Sequence, residues 1–148
     1  MPSEEEETFR RLAVELRILE GTGEALQTRI GMVNAALTEL TVASATLEGL
    51  EEEKENAPLF VPIGGGSYVK AKLETADTVI VGVGAGVAIE KTIKEAKENL
   101  ETRITELDKT RTTLQQQLVQ VVERIRDDRS KLDEVTAKLS QRERTQSV

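Results

Sequence analysis

The chain has 148 residues, of which 32% are charged and only 2% aromatic, and its net charge is −7. It holds no Cys and no His, which excludes disulfides, thiolate and imidazole metal sites and the common nucleophile–base pairs, and no loop resembles an EF-hand. The acidic balance argues against nucleic acid or an anionic membrane surface as the main partner.

The chain opens on an acidic run, Ser3-Glu4-Glu5-Glu6-Glu7, the opposite of a signal peptide. Ser3 and Glu6 have the spacing of a capping box, so a helix is expected to start here. A heptad follows. With Phe9 as position a, the a column is Phe9, Leu16, Gly23, Ile30, Leu37 and Ser44, and the d column is Leu12, Leu19, Leu26, Val33, Leu40 and Leu47. Six heptads in one phase predict a left-handed coiled coil. Glu, Arg, Thr and Gln between the seam positions suit a solvated outer face. Gly21 and Gly23 are the weak point of this arm, each costing roughly 1 kcal/mol relative to Ala inside a helix. They read either as tolerated weakness or as a hinge.

Pro58 ends the first helix, because proline disfavours helix in the residue before it. Leu59–Ile63 and Ser67–Leu73 then read as strands joined by Gly64-Gly65-Gly66, with Val69, Ala71 and Leu73 on one face. Thr78–Val83 is a third strand, apolar on both faces, and a fourth short strand from Gly86 to Ala88 or Ile89 runs into the second helix. Two isolated hairpins are marginal and leave open edges. The insert is therefore expected to be covered by strands of other subunits. Gly82-Val83-Gly84-Ala85-Gly86 is not a dinucleotide fingerprint, since it lies in no βαβ unit, and Gly64–Gly66 lacks the lysine of a P-loop. Turn geometry explains both.

The second arm repeats the first. Its a column is Ile104, Arg111, Leu118, Ile125, Leu132 and Leu139, and its d column is Leu100, Leu107, Leu114, Val121, Asp128 and Val135. The two polar seam residues, Arg111 and Asp128, are expected to snorkel or to fix register. The arms are of nearly equal length, roughly 60 Å each at ~1.5 Å per residue. Equal lengths predict antiparallel pairing, with paired positions summing to about 148, so that Phe9 lies near Leu139, Leu12 near Val135 or Thr136, and Gly23 near Ile125; length equally allows either arm to pair with another chain.

The fold class is thus mainly α: a long antiparallel two-helix coiled coil with two β-hairpins inserted between the helices, forming β-barrels on oligomerisation. Residues 4–56 are expected as the N-terminal helix, 58–87 as the hairpin platform and 88–143 as the C-terminal helix, in one elongated unit. The absence of Cys fits a reducing cytoplasm. No apolar run is expected to reach the ~20 residues of a membrane span.

The insert resembles a known family. Leu59-Phe60-Val61-Pro62-Ile63-Gly64-Gly65-Gly66-Ser67-Tyr68-Val69, Val79-Ile80-Val81-Gly82-Val83-Gly84-Ala85-Gly86-Val87 and Glu90-Lys91-Thr92 are similar to the insert of archaeal prefoldin α subunits. Two hairpins suit the α class, because the β class carries one. The Gly21–Gly23 patch departs from the strong helix formers usual in that family's arms.

The resemblance implies an ATP-independent holdase chaperone in the cytoplasm, without cofactors. Two α and four β subunits would join through their hairpins into a β-barrel platform bearing six arms, which hold unfolded client proteins and pass them to a group II chaperonin. Carried onto this chain, the oligomerisation residues would be Val61, Ile63, Tyr68, Val69, Leu73, Val79, Val81, Val83 and Val87. The client-binding arm tip would be Phe9, Leu12 and Leu16 with Leu132, Val135 and Leu139. Pattern alone also allows ordinary seam packing for the tip residues. Two other functions compete. A structural coiled-coil scaffold would have a fully packed seam and no client-holding activity; an enzyme would lack the parts for catalysis.

Overall fold

A computed structural model describes residues 1–147. The elements run α1 (Glu4–Glu51), β1 (Pro58–Gly64), β2 (Ser67–Lys72), β3 (Thr78–Gly84), β4 (Val87–Thr92) and α2 (Ile93–Gln146). Two long helices thus flank two separate two-stranded antiparallel sheets. The chain divides into two compact units, Met1–Asn34 with Lys109–Val148, and Ala35–Asp108.

In the first unit the start of α1 is capped as the Ser3/Glu6 spacing predicts. Ser3 N donates to Glu6 Oε2 at 3.0 Å, and Glu6 N donates to Ser3 Oγ at 3.3 Å. The helices are antiparallel: Glu5 meets Arg142 at 2.8 Å, Glu15 meets Arg124 at 2.7 Å, and Asn34 accepts from Arg111 at 3.3 Å. Burial follows the heptad. Leu12, Leu16, Gly23 and Leu26 are buried on α1, as are Leu114 and Asp128 on α2; the other seam positions of this unit are half-buried, except Phe9. The helix passes through Gly21 and Gly23 without a break. A Cβ built on Gly23 would meet Val121 and Leu118, one to two turns before the expected Ile125. The register therefore differs locally by about one helical turn from a constant sum of 148. Knobs fill the nearest holes, which equal arm lengths alone do not specify.

The second unit contains the end of α1, all four strands and the start of α2. Leu37, Leu40, Ile93 and Ala96 form its buried apolar core. Lys97 and Glu51 pair at 3.2 Å, keeping the helices antiparallel here as well. The two hairpins share one geometry. Pro58 faces Lys72 as Thr78 faces Thr92, and Gly64 faces Ser67 as Gly84 faces Val87. Each carries an irregularity just before its turn, between Pro62 and Gly64 or between Gly82 and Gly84. Each turn has two central residues at positive φ, Gly65 and Gly66 (58° and 74°) or Ala85 and Gly86 (52° and 75°). This is the pattern of the hairpin turn whose twist matches the flanking strands.

Three features correct the expectations. First, β4 runs to Thr92 and α2 begins at Ile93, so residues 88–92, expected as helix, are strand. Ladder pairing with Thr78–Gly82 holds them extended, and Thr92 Oγ1 accepts from Glu95 N at 3.1 Å, capping the helix one step later. Second, α1 stops at Glu51, not at residue 56. Asn56 takes a positive φ of 66°, and its N–H donates to Leu73 O at 2.7 Å, so the chain has already turned to lead into β1. Third, α1 is long and apolar enough to cross a membrane by length and composition alone, a property not expected from the sequence. Besides the seam it carries exposed Val14, Ile18, Met32 and Val42. The outer face is therefore not wholly polar.

Candidate interaction surfaces

Two surfaces carry most of the exposed apolar side chains. The first is the hairpin pair. Each sheet has two strands, so every strand has an unpaired edge. Val61, Ile63, Tyr68, Val69, Val83 and Val87, all expected in the assembly surface, are exposed. Leu73, Val79 and Val81 are half-buried. Val79 and Val81 line a recess of about 530 Å³ with Leu47, Ala96 and Leu100, so this side of β3 already leans on the helices. Three residues were missed by sequence reasoning: Phe60 (72% exposed), Ile80 (78%) and Ile89. The signal was present, because a strand apolar on both faces needs cover on both. Thr78 Oγ1 donates to Glu90 Oε1 at 2.8 Å, tying β3 to β4.

The second surface lies in the first unit, which holds the six residues expected at the arm tip. Of its six expected residues, Leu12 and Leu16 are 3% and 7% exposed. Leu132, Val135 and Leu139 are half-buried, and Phe9 is the exposed one. All six lie in the same antiparallel unit. Leu139 lines a shallow recess with Met1, Ser3, Glu6 and Arg142, which brings the two ends of the chain together there. Arg124–Glu15, Arg129–Glu20 and Arg142–Glu5 ion pairs staple the flanks of this unit at 2.7 to 2.9 Å. Outside the seam, Val14 and Ile18 stand about 60% exposed on α1, and Val119 and Val122 are exposed on α2. Among the described residues no three acidic side chains gather as a metal site would need.

The prefoldin subunit family matches residues 19–140, most of both helices and the whole insert. The chain belongs to the prefoldin family. It is similar to the prefoldin α subunit of Pyrococcus horikoshii, 34% identical over 133 residues, covering 89% of this chain and 90% of that one. The α subunit of Methanopyrus kandleri is 34% identical over 113 residues, covering 76% and 72%. Among solved structures, a filamentous prefoldin from Methanocaldococcus jannaschii superposes with a TM-score of 0.67 at 30% identity, covering 78% of this chain and 95% of that one. The fold is therefore the prefoldin fold, and the α-subunit resemblance seen in the insert extends along most of the chain. Prefoldins are chaperone subunits that assemble into oligomers, and unpaired hairpin edges with exposed Phe60, Ile80 and Val83 are what such assembly requires.

Proposed function

We propose that this prefoldin subunit acts as an ATP-independent holdase in the cytoplasm. It joins β subunits, two α with four β, through its hairpins. It holds non-native proteins at the distal arms and passes them to a group II chaperonin. The observation that carries the reading is the division of apolar surface. The strands expose theirs at unpaired edges, suited to subunits of the same kind. The arm unit has a partly covered seam and a further exposed row at Val14 and Ile18. Such a surface gives breadth of binding without selectivity. Several arms together would hold a client through multivalency, although each contact is weak. Phe9, Leu12 and Leu16 with Leu132, Val135 and Leu139 are the proposed client contacts, and the nine insert residues named above are the proposed assembly contacts.

One observation favours the scaffold reading: Leu12 and Leu16 are packed as an ordinary seam would pack them. The discriminating experiment is light scattering of a chemically unfolded client diluted into nucleotide-free buffer with this chain co-assembled with a β subunit. Suppressed aggregation at near-stoichiometric complex supports the holdase. Unchanged aggregation with the oligomer intact assigns the chain to the scaffold.

A further inference from the structure

We propose that Asp128 keeps the distal seam able to open, so that the same event that bares Leu12 and Leu16 hydrates its carboxylate. This rests on the client-holding reading. It answers a difficulty that reading meets, since a client cannot touch side chains that the partner helix already covers.

Asp128 is the buried charged residue of the described chain, 5% exposed at a seam position where a leucine would pack. Its Oδ2 is sealed from solvent and has no hydrogen-bond partner. Asp128 shares a recess of about 490 Å³ with Leu12, Arg11, Glu15, Arg124 and Lys131. Arg124, the neighbour one turn away, is engaged with Glu15 at 2.7 Å. A buried carboxylate oxygen without a partner is costly in the closed seam and costs nothing once water reaches it. The flanking layers are aliphatic: Val121 and Ile125 on one side, Leu132 and Val135 on the other. The penalty thus falls on one layer of the arm, beside Leu12. Exposing Leu12 and Leu16 is unfavourable by itself; relief at Asp128 offsets part of that cost. Register fixing is the other use of a polar seam residue, and the cross-link below separates it from seam opening.

The test compares Asp128→Leu and Asp128→Asn in the assembled complex. In Asp128→Leu, hydrogen exchange of amides at residues 9–19 and 125–139 should slow by roughly tenfold or more, as expected when a buried charge gives way to a packed apolar side chain. Client holding should fall several-fold, at unchanged oligomer size. Asp128→Asn, which keeps a polar group in the seam, should hold clients as the parent does. Unchanged exchange in Asp128→Leu overturns the proposal. So does slowed exchange with undiminished holding, which would show that clients do not need the seam to open. Register is read from thiol cross-linking of Glu5→Cys with Arg142→Cys; its loss in Asp128→Leu would assign the residue to register and overturn the proposal. If the parent complex holds no client, the holdase reading fails, and the exchange result still decides whether Asp128 loosens the seam.

Discussion

A Cβ on Gly23 would lie 3.6 Å from Val121 Cγ1 and 4.0 Å from Leu118 Cδ1. Both are ordinary contact distances, so the seam has room for a methyl group where the sequence supplies none. Gly23→Ala should stabilise the arm by about 1 kcal/mol, from helix propensity and the filled gap together. Gly21→Ala has open space around it and gains from propensity alone. Thermal unfolding followed by circular dichroism checks both. A lower midpoint for Gly23→Ala would show that the close approach at this layer is needed.

Ala85 sits at φ 52° in the second turn, where the first turn has Gly65 at 58°. A side chain in the left-handed region costs about 1 kcal/mol. Ala85→Gly should therefore stabilise the second hairpin, less the backbone freedom that glycine adds to the unfolded chain. Gly86→Val, at φ 75°, should destabilise it by more. Proteolytic nicking between β3 and β4 reports the difference.

Ile80 and Val81 are neighbours that differ in exposure. Both border the recess with Leu47 and Leu100, but Ile80 is 78% exposed and Val81 is half-buried. Ile80→Asp should abolish oligomer formation and leave the helical content of the subunit unchanged. Val81→Asp should weaken both, because it places an unpaired charge against apolar helix residues. Mass photometry with circular dichroism separates the two outcomes, and an intact oligomer in Ile80→Asp would remove that strand face from the assembly surface.

The Glu15–Arg124 pair is well formed at 2.7 Å, yet the arginine side chain remains largely exposed. A double-mutant cycle to alanine should give a coupling below about 1 kcal/mol, reduced further in high salt. A larger value would mean that the pair closes the recess around Asp128 from solvent.

Deletion of Met1–Leu16 and Leu132–Val148 should leave assembly intact and lower client holding several-fold. Loss of the oligomer on this truncation would place part of the assembly surface in the arm.

The heptad positions were legible because a seam needs apolar side chains every three or four residues, and burial follows those columns from Leu12 to Leu47 and from Leu100 to Leu139. The hairpins were legible from alternating strands and glycine turns. The end of β4 was not: Val87-Ala88-Ile89-Glu90-Lys91-Thr92 suits helix or strand locally, and pairing with β3 decides it. The fine register was also hidden, since every layer of a leucine-rich seam accepts several partners and only packing selects Val121 and Leu118 against Gly23.

The sequence by itself determined the heptad arms, the hairpin turns and the family resemblance, because periodicity and turn chemistry are local properties of the chain. Tertiary structure alone decided which seam residues are covered. It buried Leu12 and Leu16, left Val14, Ile18 and Ile80 outside, and sealed one oxygen of Asp128 away from any partner. Burial is a property of what lies opposite a side chain, and that is set only when the two helices meet.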